Sequence, residues 1–158
     1  VQLYDQFLNY MTRLKTFKFN IRTRIFKYHQ LELDLPSNEM IEQSFIGRNY
    51  RKVASYVDAI ECKCQIYSLP FDFDYFVELD NAFPGGKFHK VRHLTMHGTG
   101  PFEDQLFQLV SEDFPNLEHL AVSNPYSQKD NRHTSTSISF PHLRSLTLQY
   151  AHHDYVEL

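Results

Sequence analysis

The chain has 158 residues and a formal net charge of −3 at pH 7. It is long enough for one domain with a buried core, and it lacks the basic excess that nucleic acids or anionic membranes attract. Hydrophobic residues make up 42% of it, yet no apolar run approaches the roughly 18 residues of a membrane-spanning helix. The 14 Phe and 10 Tyr predict a core filled largely by aromatic rings.

The first predicted strand lies in the segment MTRLKTFKFN, residues 11–20. Its apolar positions Leu14, Phe17 and Phe19 are spaced like those of three segments near the end of the chain. We therefore predict that a repeat begins at residue 11 and that residues 21–87 contain degenerate units of the same kind.

The segment SNEMIEQSFIG, residues 37–47, predicts a helix. Ser37 or Asn38 is expected as the N-cap, because a short polar side chain satisfies a free backbone N–H in the first turn. Met40, Ile41 and Phe45 then form the expected buried stripe.

Residues 53–71 and 74–83 complete the middle of the chain. VASYVDAIECKCQIYSLPF predicts one long or two short strands, in which Cys62 and Cys64 are expected as buried thiols. The following DYFVELDNAF predicts a short helix. The C-x-C pair suits a reducing compartment and no signal peptide is recognised, so we expect an intracellular protein, cytoplasmic or nuclear.

Three segments near the end of the chain share one spacing. FHKVRHLTMH begins at Phe88, FPNLEHLAVS at Phe114 and FPHLRSLTLQ at Phe140, with 26 residues between successive starts. The alternation at the end of each segment predicts a short strand with its apolar residues inside. Residues 101–114 have apolar side chains at helical spacing, which predicts a helix after the first of these strands.

Stacked units of this kind predict an α/β fold, an irregular leucine-rich-repeat solenoid with repeats of about 26 residues. Its curved parallel sheet would carry helices and loops on the convex side. We predict a single domain over residues 1–158. Because the chain starts with Val and stops within a new segment, we expect it to be an excerpt of a longer one.

The segments MTRLKTFKF, CQIYSLPF and FHKVRHLTM…FEDQLFQLVSEDFPNLEHLAVSN together resemble the leucine-rich-repeat region of F-box-like proteins. In that family an N-terminal F-box recruits a ubiquitin-ligase scaffold, and the repeats hold the substrate. The resemblance implies a substrate-recognition part of a ubiquitin-ligase adaptor. It implies scaffold binding only if an F-box lies outside this segment.

The side chains that alternate with the apolar ladder are expected on the concave face of the sheet, where a protein partner would bind. The predicted partner-binding residues are His93, Thr95, His97, His119, Ser123, Ser145, Thr147 and Gln149. Fold alone does not fix function, so this interpretation depends on the outward strand positions.

The histidines are candidate metal ligands. In a strand His93 and His97 are about 13 Å apart, too far to share one ion. His93 and His119 would be neighbours about 4.8 Å apart across a parallel sheet, but a third ligand is not evident. We interpret them as an exposed polar patch and the cluster His152, His153 and Asp154 as a loop without a role, and we predict no metal and no cofactor.

The motifs of nucleophile-elbow hydrolases, P-loop proteins and zinc peptidases do not occur in the chain. We therefore predict a non-enzymatic module for protein–protein interaction, without a nucleic-acid or membrane partner. The alternatives are a metal-binding or hydrolytic domain that uses the histidine-rich strands, and a structural spacer in a larger sensor protein.

Overall fold

The structure, a computed structural model, describes residues 10–24, 36–46, 52–129 and 138–157. The chain groups into two compact units, residues 1–70 and residues 71–158. Within the described ranges, no helix has both the length and the apolar character needed to cross a membrane.

The first unit contains a three-stranded antiparallel sheet in the order β1-β3-β2, formed by β1 (Asn20–Arg24), β2 (Val53–Asp58) and β3 (Lys63–Ser68). A tight turn joins β2 to β3, because the Asp58 carboxylate accepts hydrogen bonds from the backbone N–H groups of Ile60 (2.8 Å) and Glu61 (3.1 Å). Such side-chain bonds to the following backbone favour a turn over a continued strand. Of the two alternatives predicted for this segment, one long strand or two short strands, the structure has the two short strands.

The helix α1 (Asn38–Gln43) begins as predicted. The Ser37 hydroxyl caps it by accepting a hydrogen bond from the backbone N–H of Met40, at 3.2 Å. The predicted apolar stripe is wrong at Met40, which is 63% exposed, whereas Ile41 is buried. The last predicted residue, Gly47, lies outside the described residues.

The second unit contains a four-stranded parallel sheet in the order β4-β5-β6-β7. Its strands are β4 (Tyr75–Leu79), β5 (His93–His97), β6 (His119–Ser123) and β7 (Ser145–Leu148). The pairs β5–β6 and β6–β7 match residues exactly one 26-residue step apart, as in His93 opposite His119. The three strands predicted from the repeated segments, and their register, are therefore confirmed.

Helix α2 (Asp104–Asp113) follows β5, as predicted for residues 101–114. The phenylalanines that open two of the repeated segments, Phe88 and Phe114, stack with ring centroids 4.7 Å apart and both are buried. Further phenylalanines surround this pair, among them Phe76 and Phe83. The core of this unit is thus built largely from phenylalanine, as the composition predicts.

The predicted solenoid with one curved parallel sheet is wrong. The chain is a small α/β protein whose three-stranded antiparallel sheet is separate from the four-stranded parallel sheet. The Asp58 turn returns the chain at once, so β2 and β3 pair antiparallel, and β1 also pairs antiparallel with β3. Antiparallel strands of this kind cannot form stacked repeat units. The segment from residue 11 precedes β1, which begins only at Asn20, and the helix predicted over residues 74–83 is the strand β4.

The last strand differs from its neighbours in burial. Leu94 on β5 and Leu120 on β6 are 1% and 3% exposed, whereas the matching Leu146 on β7 is 46% exposed. The apolar side chains of β5 and β6 are buried, whereas on β7 Leu146 is exposed and Leu148 is half-buried. The sheet therefore has an open apolar position at its last described strand.

Candidate functional site

One side of the parallel sheet carries all the residues predicted to bind a partner. We call it the polar face and define it as Tyr75, His93, Thr95, His97, His119, Ala121, Ser123, Ser145, Thr147 and Gln149. The members on β5 and β6 are half-buried, while those on β7 and the adjoining Gln149 are exposed. None of these positions holds Asp, Glu, Lys or Arg, so the polar face offers hydrogen bonds and rings rather than fixed charges.

A row of stacked rings crosses the polar face. Tyr75 stacks on His93 with ring centroids 4.3 Å apart and planes 13° apart, and His93 stacks on His119 at 4.5 Å and 5°. Neighbouring strands lie about 4.8 Å apart, so the strand spacing itself sets these stacking distances. We call these three residues the aromatic row.

The aromatic row stops at β7. The residue opposite His119 there is Ser145, which is exposed and has no ring. Among the described residues, no aromatic ring contacts the face of His119 that points away from His93. One strand spacing is about the thickness of a stacked ring. The space above Ser145 is therefore suited to a ring from another molecule.

The next register positions of the polar face are small and polar. Thr95 accepts a hydrogen bond through its hydroxyl from the backbone N–H of Glu78, at 2.8 Å, where β4 departs from regular pairing. Thr95 faces Ala121, and Ala121 faces Thr147. Thr147 is exposed.

One atom of the aromatic row lacks a partner. His93 Nδ1 is buried and makes no hydrogen bond within the described structure. A buried polar atom without a partner costs about 1–3 kcal/mol. The stacking of His93 between two rings holds the imidazole in place despite this cost.

A row of alternating charges lies one residue before the strands. Asp74, Arg92, Glu118 and Arg144 occupy equivalent positions, each directly before the first residue of its strand. The Glu118 carboxylate binds the guanidinium of Arg92 and that of Arg144, the latter at 3.4 Å. Burial acts to raise the pKa of Glu118, but the hydrogen bond from Arg92 and the charges of Arg144 and Arg92 outweigh it and hold the pKa below its usual range. The pairing favours the observed strand register.

His93 and His119 stack face to face, with ring centroids 4.5 Å apart. Among the described residues, no third ligand is grouped with them. In the part of the chain that the structure describes, the group of three that could hold an ion is His152, His153 and Asp154. The interpretation of the strand histidines as a polar patch without a metal stays a prediction.

Comparison with protein-family models, with curated proteins and with solved structures found no match to this chain. The resemblance to F-box-like proteins therefore stays a prediction from the quoted segments.

Tyr75 is the member of the polar face that the sequence did not predict. It stands 18 positions before His93 instead of 26, so the repeat register missed it and its segment was assigned to a helix. The run Tyr75-Phe76-Val77 is rich in residues that favour strands, and that signal could have corrected the assignment.

Proposed function

We propose that the polar face binds a segment of a protein partner that inserts an aromatic side chain above Ser145, against His119. The aromatic row carries this proposal, because its stacking continues over three strands and then stops where Ser145 leaves room for one more ring. The proposed occupant takes the fourth position in the row.

The chemistry of the surrounding positions favours a protein segment over a charged ligand. Ser145, Thr147 and Gln149 are exposed and offer hydroxyl and amide groups, and none of the residues that define the polar face is Asp, Glu, Lys or Arg. A stacked aromatic pair contributes about 0.5–1.5 kcal/mol beyond the burial of its area. One ring alone binds weakly, so affinity requires the adjoining hydrogen bonds as well.

Peptide selection tests the proposal directly. Random peptides displayed on phage are selected on the immobilised protein, and those retained by the triple variant His93→Glu, His119→Glu, Thr147→Glu are discarded. We expect the remaining peptides to share an aromatic residue. If no peptide is enriched over the triple variant, with circular dichroism showing that this variant is folded, the polar face is not a protein-binding surface.

Two substitutions of the exposed Ser145 provide a matched pair. Ser145→Tyr adds a ring that stacks on His119 and fills the proposed position, whereas Ser145→Ala leaves it empty. We expect the selected peptides to bind the tyrosine variant about tenfold more weakly, a loss of about 1.4 kcal/mol. They should bind the alanine variant within about twofold of the original. Equal binding by both variants would contradict insertion at this position.

The narrower role as substrate-recognition part of a ubiquitin-ligase adaptor follows from the sequence resemblance alone. It predicts that the parent protein co-purifies with a ubiquitin-ligase scaffold through a segment outside these 158 residues, while the polar face holds the substrate. A parent protein that binds substrate but no such scaffold would contradict the adaptor role and leave the binding surface intact.

A further inference from the structure

The 3₁₀ helix (His153–Glu157) and the residue before it bring two imidazoles to one carboxylate. His152 Nδ1 lies 3.1 Å from Asp154 Oδ2, and His153 Nε2 lies 3.1 Å from Asp154 Oδ1. One ligand atom from each residue lies within 4.8 Å of the other two. Both oxygens of one carboxylate therefore face an imidazole nitrogen.

Each of these contacts places an imidazole nitrogen at hydrogen-bond distance from a carboxylate oxygen. His152 Nδ1 faces the backbone N–H of Asp154 at 3.4 Å as an acceptor, and it also faces the Asp154 carboxylate, which is an acceptor too. Either the N–H hydrogen of an imidazole or a metal ion can lie between such a nitrogen and a carboxylate oxygen. The spacing of the three side chains is therefore compatible with a metal ion.

The fold holds this cluster in place. The backbone N–H of His152 donates to the carbonyl of Asn124 at 2.8 Å, and the backbone N–H of Gln128 donates to Asp154 Oδ2 at 3.0 Å. Tyr155, the next residue, is fully buried and fixed by two hydrogen bonds. Ligands that are ordered before binding lose less conformational entropy when an ion arrives.

We propose that His152, His153 and Asp154 form a binding site for a divalent transition-metal ion, Zn²⁺ or an ion of similar preference. Two imidazole nitrogens and one carboxylate oxygen are the ligands that such ions prefer, whereas Ca²⁺ and Mg²⁺ prefer oxygen ligands alone. His153 is largely exposed, with its side chain 83% accessible, so the ion can enter from solvent and keep a position for water or a partner's ligand. This site is separate from the polar face and does not depend on the proposed function.

Isothermal titration of the full chain with ZnCl₂ at neutral pH tests the site, with His153→Ala and Asp154→Asn as site variants. His142→Ala is the matched control, because His142 is exposed and lies outside the cluster. We expect one Zn²⁺ per chain. Changes in the outer shell of a metal site already weaken binding about tenfold to a hundredfold, so loss of a ligand should weaken it by at least tenfold.

Thermal unfolding supplies a second readout, because an ion that binds only the folded chain raises Tm. We expect Zn²⁺ to raise the Tm of the original chain and of His142→Ala, but not that of His153→Ala. We expect CaCl₂ and MgCl₂ to leave the Tm of all three proteins unchanged. Three outcomes would overturn the proposal: no Zn²⁺ binding by the original chain, equal Zn²⁺ affinity in His153→Ala, or a Tm increase of equal size with Ca²⁺.

Discussion

Tyr155 is the residue whose alteration most sharply tests the packing of the second unit. Its hydroxyl donates to the carbonyl of Tyr126 at 2.9 Å and accepts from the backbone N–H of Phe102 at 2.9 Å. The side chain is 0% exposed. Replacing Tyr155 by Phe keeps the ring and removes both hydrogen bonds.

The expected cost follows from the groups left behind. Phe102 is itself fully buried, so its backbone N–H would have neither the hydroxyl nor water as partner. An unsatisfied buried donor costs about 1–3 kcal/mol. The Tyr126 carbonyl lies in a partly exposed residue and should add little. We therefore expect Tyr155→Phe to lower the free energy of unfolding by about 2 kcal/mol, mostly through one N–H group.

Urea unfolding followed by circular dichroism measures this loss. Tyr150→Phe is the matched control, because Tyr150 is 80% exposed and its change should stay within about 0.5 kcal/mol. In a chain of this size, about 2 kcal/mol corresponds to a decrease in Tm of roughly 4–8 °C. If Tyr155→Phe loses no more stability than Tyr150→Phe, the buried hydroxyl does not bridge the two backbone groups and the reasoning fails.

The remaining predictions concern alkaline pH and packing. Burial raises the pKa of Tyr155 above its usual value, so the unfolded chain releases this proton near pH 10 while the folded chain keeps it. The contribution of the Tyr155 hydroxyl to stability is complete below about pH 10 and is lost as pH rises through the folded pKa. In urea unfolding, the free energy of unfolding should therefore differ less between the original chain and Tyr155→Phe at about pH 10.5 than at pH 8. An equal difference at both pH values would contradict this expectation. A Cβ at Gly98 would lie 2.6 Å from the buried ring of Phe102, whereas at Gly100 the nearest atom is 3.7 Å away. Gly98→Ala should therefore cost about 1–3 kcal/mol in thermal unfolding, and Gly100→Ala less than about 0.5 kcal/mol; equal losses would be evidence against this packing. Leu120→Ala should cost about 2–5 kcal/mol in urea unfolding and the half-exposed Leu146→Ala under about 1 kcal/mol, so similar losses would mean that β7 is covered in solution.

The repeated segments predicted the strands that form most of the polar face. The spacing from Phe88 to Phe114 to Phe140 fixed which residues pair, because a 26-residue step places equivalent residues side by side in a parallel sheet. His93 beside His119 was predicted this way and is confirmed, but the spacing alone does not show that the two rings stack.

The prediction failed where pairing depends on one turn or on residues far apart in the chain. Strands β2 and β3 are antiparallel because the Asp58 side chain closes the turn between them, and strand alternation alone does not distinguish the two directions of pairing. Whether His152, His153 and Asp154 have a role stays a prediction, but their mutual contacts were not predicted from the sequence. The geometry of this cluster depends on Tyr155 reaching Phe102, 53 residues away, which no local pattern reveals.

The 26-residue spacing places equivalent residues of neighbouring strands in rows: an apolar row, a charged row and the rows of the polar face. In each row, the residue at β7 differs from those at β5 and β6 in its exposure or its chemistry. In the apolar row Leu146 is exposed, in the charged row the Arg144 side chain is 75% accessible, and in the first row of the polar face Ser145 replaces a ring. On β5 and β6 the corresponding side chains already have neighbours on both sides, so a ligand gains little new contact there. Within the described part of the sheet, β7 is the last strand, so no further strand adjoins these rows there. In the function that we propose, a partner would therefore gain most at Ser145, where its ring can stack on His119.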